Sequence, residues 1–158
     1  MESDKGVMGV IINKPIKKLQ FSEILTELQL GSSFQRNAPQ IPIMRGGPLE
    51  SGMGFILHSP EYENQHTMKI SKDTAMTATL DIIKDIAIGN PPKQHLIALG
   101  YAGWEQDQLA EEMGNNMWIT VPATPELLFD VPFHSRWSYA LKSAGIDPIH
   151  LSSFPGLA

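Results

Sequence analysis

Gly54-Phe55-Ile56-Leu57-His58, Thr67-Met68-Lys69-Ile70-Ser71 and Thr74-Ala75-Met76-Thr77-Ala78-Thr79 are three short runs rich in apolar and β-branched residues, close together in the chain. The connections between them are too short to hold a crossover helix, so consecutive strands here must pair antiparallel. Thr79 then stands where a cap belongs, ahead of a helix carrying Ile82, Ile83 and Ile86 and closed by Gly89 and the Pro91-Pro92 pair. Strands followed by a helix, with no strict alternation of the two, define an α+β fold.

On the N-terminal side, Val7-Met8-Gly9-Val10-Ile11-Ile12-Asn13 is an almost continuous apolar run stopped by Lys14-Pro15, which predicts a buried strand. Phe21, Ile24, Leu25 and Leu28 recur at helical spacing, with Ser22 able to cap the start and Gly31 able to end the last turn. The polar residues from Ser32 to Gln40 predict a surface loop, followed by a short strand over Ile43–Arg45 that Gly46-Gly47-Pro48 interrupts.

On the C-terminal side, a strand at His95–Leu99 is expected to run into a turn, Gly100-Tyr101-Ala102-Gly103-Trp104, and then into a helix from about Trp104 to Met113 ended by Gly114. A strand is predicted over Met117–Val121. Thr124-Pro125 is a cap with proline at the first helical position and starts a short helix through Phe129. Trp137, Ala140, Leu141 and Ala144 predict the buried face of a last helix ending at Gly145, with Ser135 as its cap; Ile146 to Ala158 reads as irregular. With no repeat, linker or low-complexity tract, residues 1–158 are read as one α+β domain.

The 158 residues are 42% hydrophobic, 18% charged and 8% aromatic, which excludes disordered, collagen-like and coiled-coil classes. The absence of cysteine excludes thiolate nucleophiles, iron–sulfur clusters and Cys-based zinc sites. No apolar run approaches the roughly 20 residues of a membrane-spanning helix, and the polar, acidic start is not a secretory signal. A cytoplasmic location is expected.

Charge is segregated. Residues 1–99 carry ten acids and ten bases, whereas residues 100–158 carry seven acids against Arg136 and Lys142, which accounts for the whole net charge of −5. Such a C-terminal third repels phosphate backbones, and no helix-turn-helix pair with a basic second helix is visible, so direct nucleic-acid binding is not expected. Lys14, Lys17 and Lys18 form the only basic cluster and read as a solvated surface.

Few residues offer chemistry. The five histidines, His58, His66, His95, His134 and His150, lack metal-ligand spacing, and the serines lack a nucleophile elbow, so no catalytic residue, metal or cofactor is assigned. Glu111-Glu112 point about 100° apart on a helix and read as a solvated acidic face. Gly46-Gly47 beside Arg45 could form an anion-binding nest or simply a tight turn. The glycine-bearing segment from Tyr101 through Gly103 to Trp104 could leave free N–H groups at a helix start, or Tyr101 and Trp104 could fill the core; Glu105 and Asp107 would compete with an anion there.

The order and spacing of Gly9-Val10-Ile11-Ile12-Asn13-Lys14-Pro15, Gly46-Gly47-Pro48, Gly54-Phe55-Ile56-Leu57-His58 and Ala98-Leu99-Gly100-Tyr101-Ala102-Gly103-Trp104, with Gln108-Leu109 and Trp118, resemble the bacterial AlgH/YqgE-like family over nearly the whole chain. The resemblance implies a bifurcated mixed sheet, largely antiparallel, folded into a pseudo-barrel with helices packed outside. Some members of that family are named as transcriptional regulators, without an established DNA-binding element or catalytic residues. The resemblance also implies roughly 25 to 30 further N-terminal residues, a strand or two, ahead of the Gly9 motif, so an unpaired sheet edge is expected here.

Two functions follow as expectations. The first is a non-catalytic regulatory or protein-interaction domain with a protein partner. The second is a protein that binds a small anion or metabolite, an enzyme included, using Arg45, Gly46, Gly47, Tyr101, Gly103 and Trp104 as one polar-aromatic pocket.

Overall fold

The computed structural model describes residues 2–3, 6–30, 38–105 and 107–147. Its strands are β1 (Glu2–Ser3), β2 (Gly6–Gly9), β3 (Ile43–Arg45), β4 (Leu49–His58), β5 (Met68–Lys69), β6 (Ala75–Thr77) and β7 (His95–Trp104). The helices are α1 (Phe21–Glu27), α2 (Leu80–Ala87), α3 (Gln108–Gly114) and α4 (Arg136–Ser143), with a π-helical turn at Glu126–Asp130. The fold is α+β, a mixed, mostly antiparallel sheet curled into a half-barrel with helices alongside.

The sheet is organised by β7. β3 pairs with Ile97–Leu99 in parallel, and β4 pairs with His95–Leu99 antiparallel, so these two strands occupy opposite edges of the same stretch. Further along, β2 pairs antiparallel with Ala102–Trp104 on the side of β7 away from β4. One edge of β7 is thus served by two strands in succession. After Gly9 the chain leaves β7 and runs outside β3, where Ile16 N–H donates to Ile43 O at 2.8 Å and Arg45 N–H to Lys14 O at 2.7 Å. β3 is a wedge driven between this segment and β7, and the sheet forks around it.

To pass from β3 to β4, the chain must change edges of β7, and Gly46-Gly47-Pro48 makes the crossing. Gly46 N–H donates to Leu99 O at 2.7 Å, and Leu49 already pairs with Tyr101. A Cβ on Gly47 would lie 1.9 Å from the Tyr101 carbonyl carbon, so backbone lies directly on backbone and only glycine fits. Beneath it Gly100 takes φ +74°, a left-handed conformation that bends β7 at the fork.

Alternation along the strands separates two apolar layers. On one face Ile43, Ile56 and Ile97 pack with Phe21, Ile24 and Leu25 of α1 and Ile82, Ile83 and Ile86 of α2. On the other, Met44, Leu57, Leu96 and Ala98 are covered by Val10, Ile12, Phe129 and Phe133. Arg136, buried at the start of α4, ties this second layer together: its Nε donates to Val131 O at 3.0 Å and its Nη1 to Ile12 O. Among the described residues no helix is long and apolar enough to cross a membrane.

The helix reading of Phe21–Leu28 stands, but the capping contact comes from Glu23, which accepts the Gln20 N–H at 2.7 Å, not from Ser22. Thr79 takes the cap position of α2, yet its buried hydroxyl has no partner among the described residues. The N-terminal strand stops at Gly9, because Val10–Asn13 diverge around the wedge. Gly100–Trp104 is not a turn: β7 continues through it because β2 pairs with its last three residues, and α3 begins only at Gln108. Met117–Val121 is not a strand, and these residues are half-buried or exposed without a ladder. Trp137 is exposed, so α4 buries Leu141 and Arg136 instead. Gly31, Ser32 to Asn37, His150 and the chain from Pro148 onward lie outside the described residues.

Candidate functional site

The residues singled out from the sequence fall into two places. Arg45 and Gly47 line an open cleft of about 530 Å³ at the fork, together with Lys14, Ser51 and the apolar Ile11, Ile16 and Leu99. Tyr101 and Trp104 are three residues apart on a strand and therefore point to opposite faces. Tyr101 meets Phe55 edge-on at 5.8 Å, and its ring lies 3.5 Å from where a Cβ on Gly103 would stand. Trp104 lies over Gly9 of β2 and meets Trp118 edge-on at 5.5 Å. Both rings are half-buried and neither belongs to the two buried layers.

Gly46 does not offer a free N–H to an anion, since it donates to Leu99 O, and its carbonyl accepts from Ile11 N–H at 2.7 Å. Near the helix start after Trp104, the Glu105 N–H is also taken. Asp107 precedes α3 at φ +66°, and Glu105 N–H donates to Gln108 Oε1 at 3.0 Å. The Gly46 and Glu105 N–H groups are therefore not open to an anion.

Beyond the end of β7, Glu112 is the centre of a polar-aromatic cluster. One oxygen accepts from Trp118 Nε1 at 2.6 Å and from Trp104 Nε1 at 3.1 Å; the other accepts from Gln108 Nε2 at 2.9 Å. Hydrogen bonds from Trp118, Gln108 and Trp104 hold its carboxyl below the ordinary glutamate range. This acid is thus a clamp, not part of a solvated face. Met113, Met117, Trp118 and Ile119 remain 43%, 68%, 47% and 46% exposed around it. The sequence signal for the clamp is the Gln108/Glu112 spacing of four on one helix.

The histidines are structural where they are buried. His58 is fully buried, its Nδ1 bonded to Ser59 O and its Nε2 to Thr77 Oγ1, both at 2.9 Å, and its ring meets Tyr62 edge-on. Tyr62 donates to Asp85 Oδ2 at 2.8 Å, and burial together with that carboxylate pushes its pKa up to about 12. Among the described residues no three His, Asp or Glu side chains gather as a metal site.

Comparison with known proteins agrees with this architecture. A solution structure of the AlgH protein from Pseudomonas aeruginosa superposes with a TM-score of 0.77 at 36% identity, covering 99% of this chain and 82% of that one. A crystal structure of a protein from Corynebacterium diphtheriae shares the fold at a TM-score of 0.67 and 17% identity, covering 98% of this chain and 79% of that one. A UPF0301 protein of Jannaschia sp. is 45% identical over the whole chain and 82% of its own length, and one of Methylocella silvestris is 41% identical over 99% of this chain and 79% of its own. Residues 1–149 match the family model described as DUF179, AlgH-like, and the chain belongs to the AlgH-like family.

Proposed function

We propose that this chain is a cytoplasmic, non-catalytic regulatory or protein-interaction domain whose contact face is the cluster around Glu112. The observation that carries this reading is the exposure of Met113, Met117, Trp118 and Ile119 within seven residues, with Trp118 held in place by the Glu112 carboxylate. Exposed apolar groups in a contiguous patch mark interaction sites, and a pre-positioned tryptophan loses little freedom on docking. Methionines beside it adapt to a partner's shape.

The surrounding charge selects the partner. Glu105, Asp107 and Glu111 precede the patch in the chain and are exposed. A protein presenting apolar groups rimmed by lysine or arginine complements this face, whereas a nucleic acid does not. Regulation on this reading acts through the partner and needs no chemistry on this chain.

The test is site-specific photo-crosslinking in living bacteria with a benzophenone amino acid at Met117 and, as a reference, at Lys69 on the far edge of the sheet. A discrete adduct from position 117, absent from position 69 and lost on Trp118→Glu, is expected; the purified partner should then bind the wild-type chain and not the variant. Equal adducts from both positions, or no loss on Trp118→Glu, would reject the reading.

A further inference from the structure

The cleft at the fork lies on the other arm of the molecule's polarity, and its chemistry differs. The antiparallel bridge Pro15↔Met44, with Ile16 N–H on Ile43 O and Arg45 N–H on Lys14 O, places Lys14 directly opposite Arg45. Residues so opposed put their side chains on the same face, a few ångströms apart, and like charges in that register are destabilising. Among the described residues no carboxylate comes within ion-pair distance of either; the ion pairs there are Lys69–Glu63, Lys72–Asp73 and Lys84–Asp81. In a chain of net charge −5, two cations without an ion-pair partner among the described residues line one cleft side by side.

We infer that this cleft binds a small phosphate monoester. An anion between Lys14 and Arg45 converts the unfavourable pair into two favourable ones, and the planar guanidinium matches two phosphate oxygens at once. Ser51 adds a hydroxyl to the lining. Ile11, Ile16 and Leu99 supply an apolar floor that inorganic phosphate cannot use and an ester's organic group can. At about 530 Å³ the space suits a metabolite-sized ligand.

The site is rigid where it needs to be. Gly47 is fixed on the Tyr101 backbone by close approach, and Pro48 has a fixed φ, so the wall carrying Arg45 is held by the edge crossing. Glu50, the nearest acid in sequence, does not line the cleft. This inference is independent of the Glu112 face, and different variants test the two.

Amide chemical-shift titration of the intact chain with phenyl phosphate is the test. Saturable shifts are expected at residues 11–16 and 45–51, weakened at least about tenfold by Arg45→Gln or Lys14→Gln and unchanged by Trp118→Ala. Inorganic phosphate should bind the same residues more weakly, and phenol should not bind. Without ligand, Lys14→Gln should melt at a higher temperature than wild type, because it removes the like-charge pair; this reading does not depend on having chosen the right ester. Unsaturable shifts, undiminished binding by the Lys14→Gln/Arg45→Gln double variant, tighter binding of inorganic phosphate than of phenyl phosphate, or tighter binding of a short DNA duplex than of either would each overturn the assignment.

Discussion

The two halves of β7 share one strand and differ in almost every other respect. His95–Leu99 is paired with β4 along one edge and, at Ile97–Leu99, with β3 along the other, and it is covered on both faces by the two apolar layers. Gly100–Trp104 is paired with β2 on one side and is in register with β4 only at Leu49, and its side chains are half-buried or exposed except at Gly100. The first half is therefore invested in stability. The second half, freed from the core, is where aromatic groups reach towards the surface. The boundary between them is the point where Gly46-Gly47 crosses, so one backbone event separates the core part of the strand from the part outside the core.

The largest expected effect is at that boundary. Gly47→Ala drives a Cβ into the Tyr101 carbonyl, whereas Gly114 has nothing within 4 Å of the same added atom. Gly47→Ala should lose about 3 kcal/mol or more in denaturant unfolding, and Gly114→Ala should lose none beyond measurement. Equal midpoints for the two would dissolve the contrast between the halves. Next in size is Ile97→Ala, which empties a fully buried position in the first half and should cost about 3 kcal/mol by the same assay. Trp118→Ala, on the surface that the second half supports, should cost about 1 kcal/mol or less while abolishing the proposed partner contact. A Trp118 variant as unstable as Ile97→Ala would place that ring in the fold instead of on its surface.

A smaller, pH-dependent effect sharpens the same contrast. Burial holds the His95 pKa below the ordinary value of 6.5, against the hydrogen bond to Pro92 O, with His58 nearby adding to the lowering. The unfolded chain then binds more protons than the folded one, so this contribution to stability is complete above about pH 6.5 and is lost as pH falls through that value towards the folded pKa. Urea midpoints should drop between about pH 7.5 and about pH 5.5, and His95→Gln should flatten the drop. An unchanged slope in the variant would show that the first half of β7 carries no titration-linked strain.

Much of this arrangement is legible in the residues. The strands between Gly54 and Thr79 and the helices at Phe21 and Leu80 follow from periodicity, since their apolar faces are simple, but β4 pairs with β6 and not with β5, the strand that follows it. Gly100–Trp104 was beyond local reasoning because its strand state is set by β2, which lies nearly a hundred residues away in sequence. The glycines that read locally as turn formers are there for close approach of one backbone to another. For the same reason the Lys14–Arg45 opposition was hidden: each residue looks ordinary until the wedge of β3 brings the two segments into register. Glu112 resembled a solvated acid because the indoles that donate to it come from outside its helix.

The fork also dictates when the protein can become itself. β2 and β3 both need β7, and β7 is the last strand among the described residues, so Val7 must wait for Trp104 and Ile43 for Ile97 before either strand finds that partner. Contacts of such long sequence separation are slow to form and leave apolar strands waiting in the open. Val10-Ile11-Ile12 and Ile43-Met44 are therefore the segments most in need of a holding chaperone during synthesis, and shortening the chain before His95 should yield a polypeptide that chaperones retain and the fold never releases.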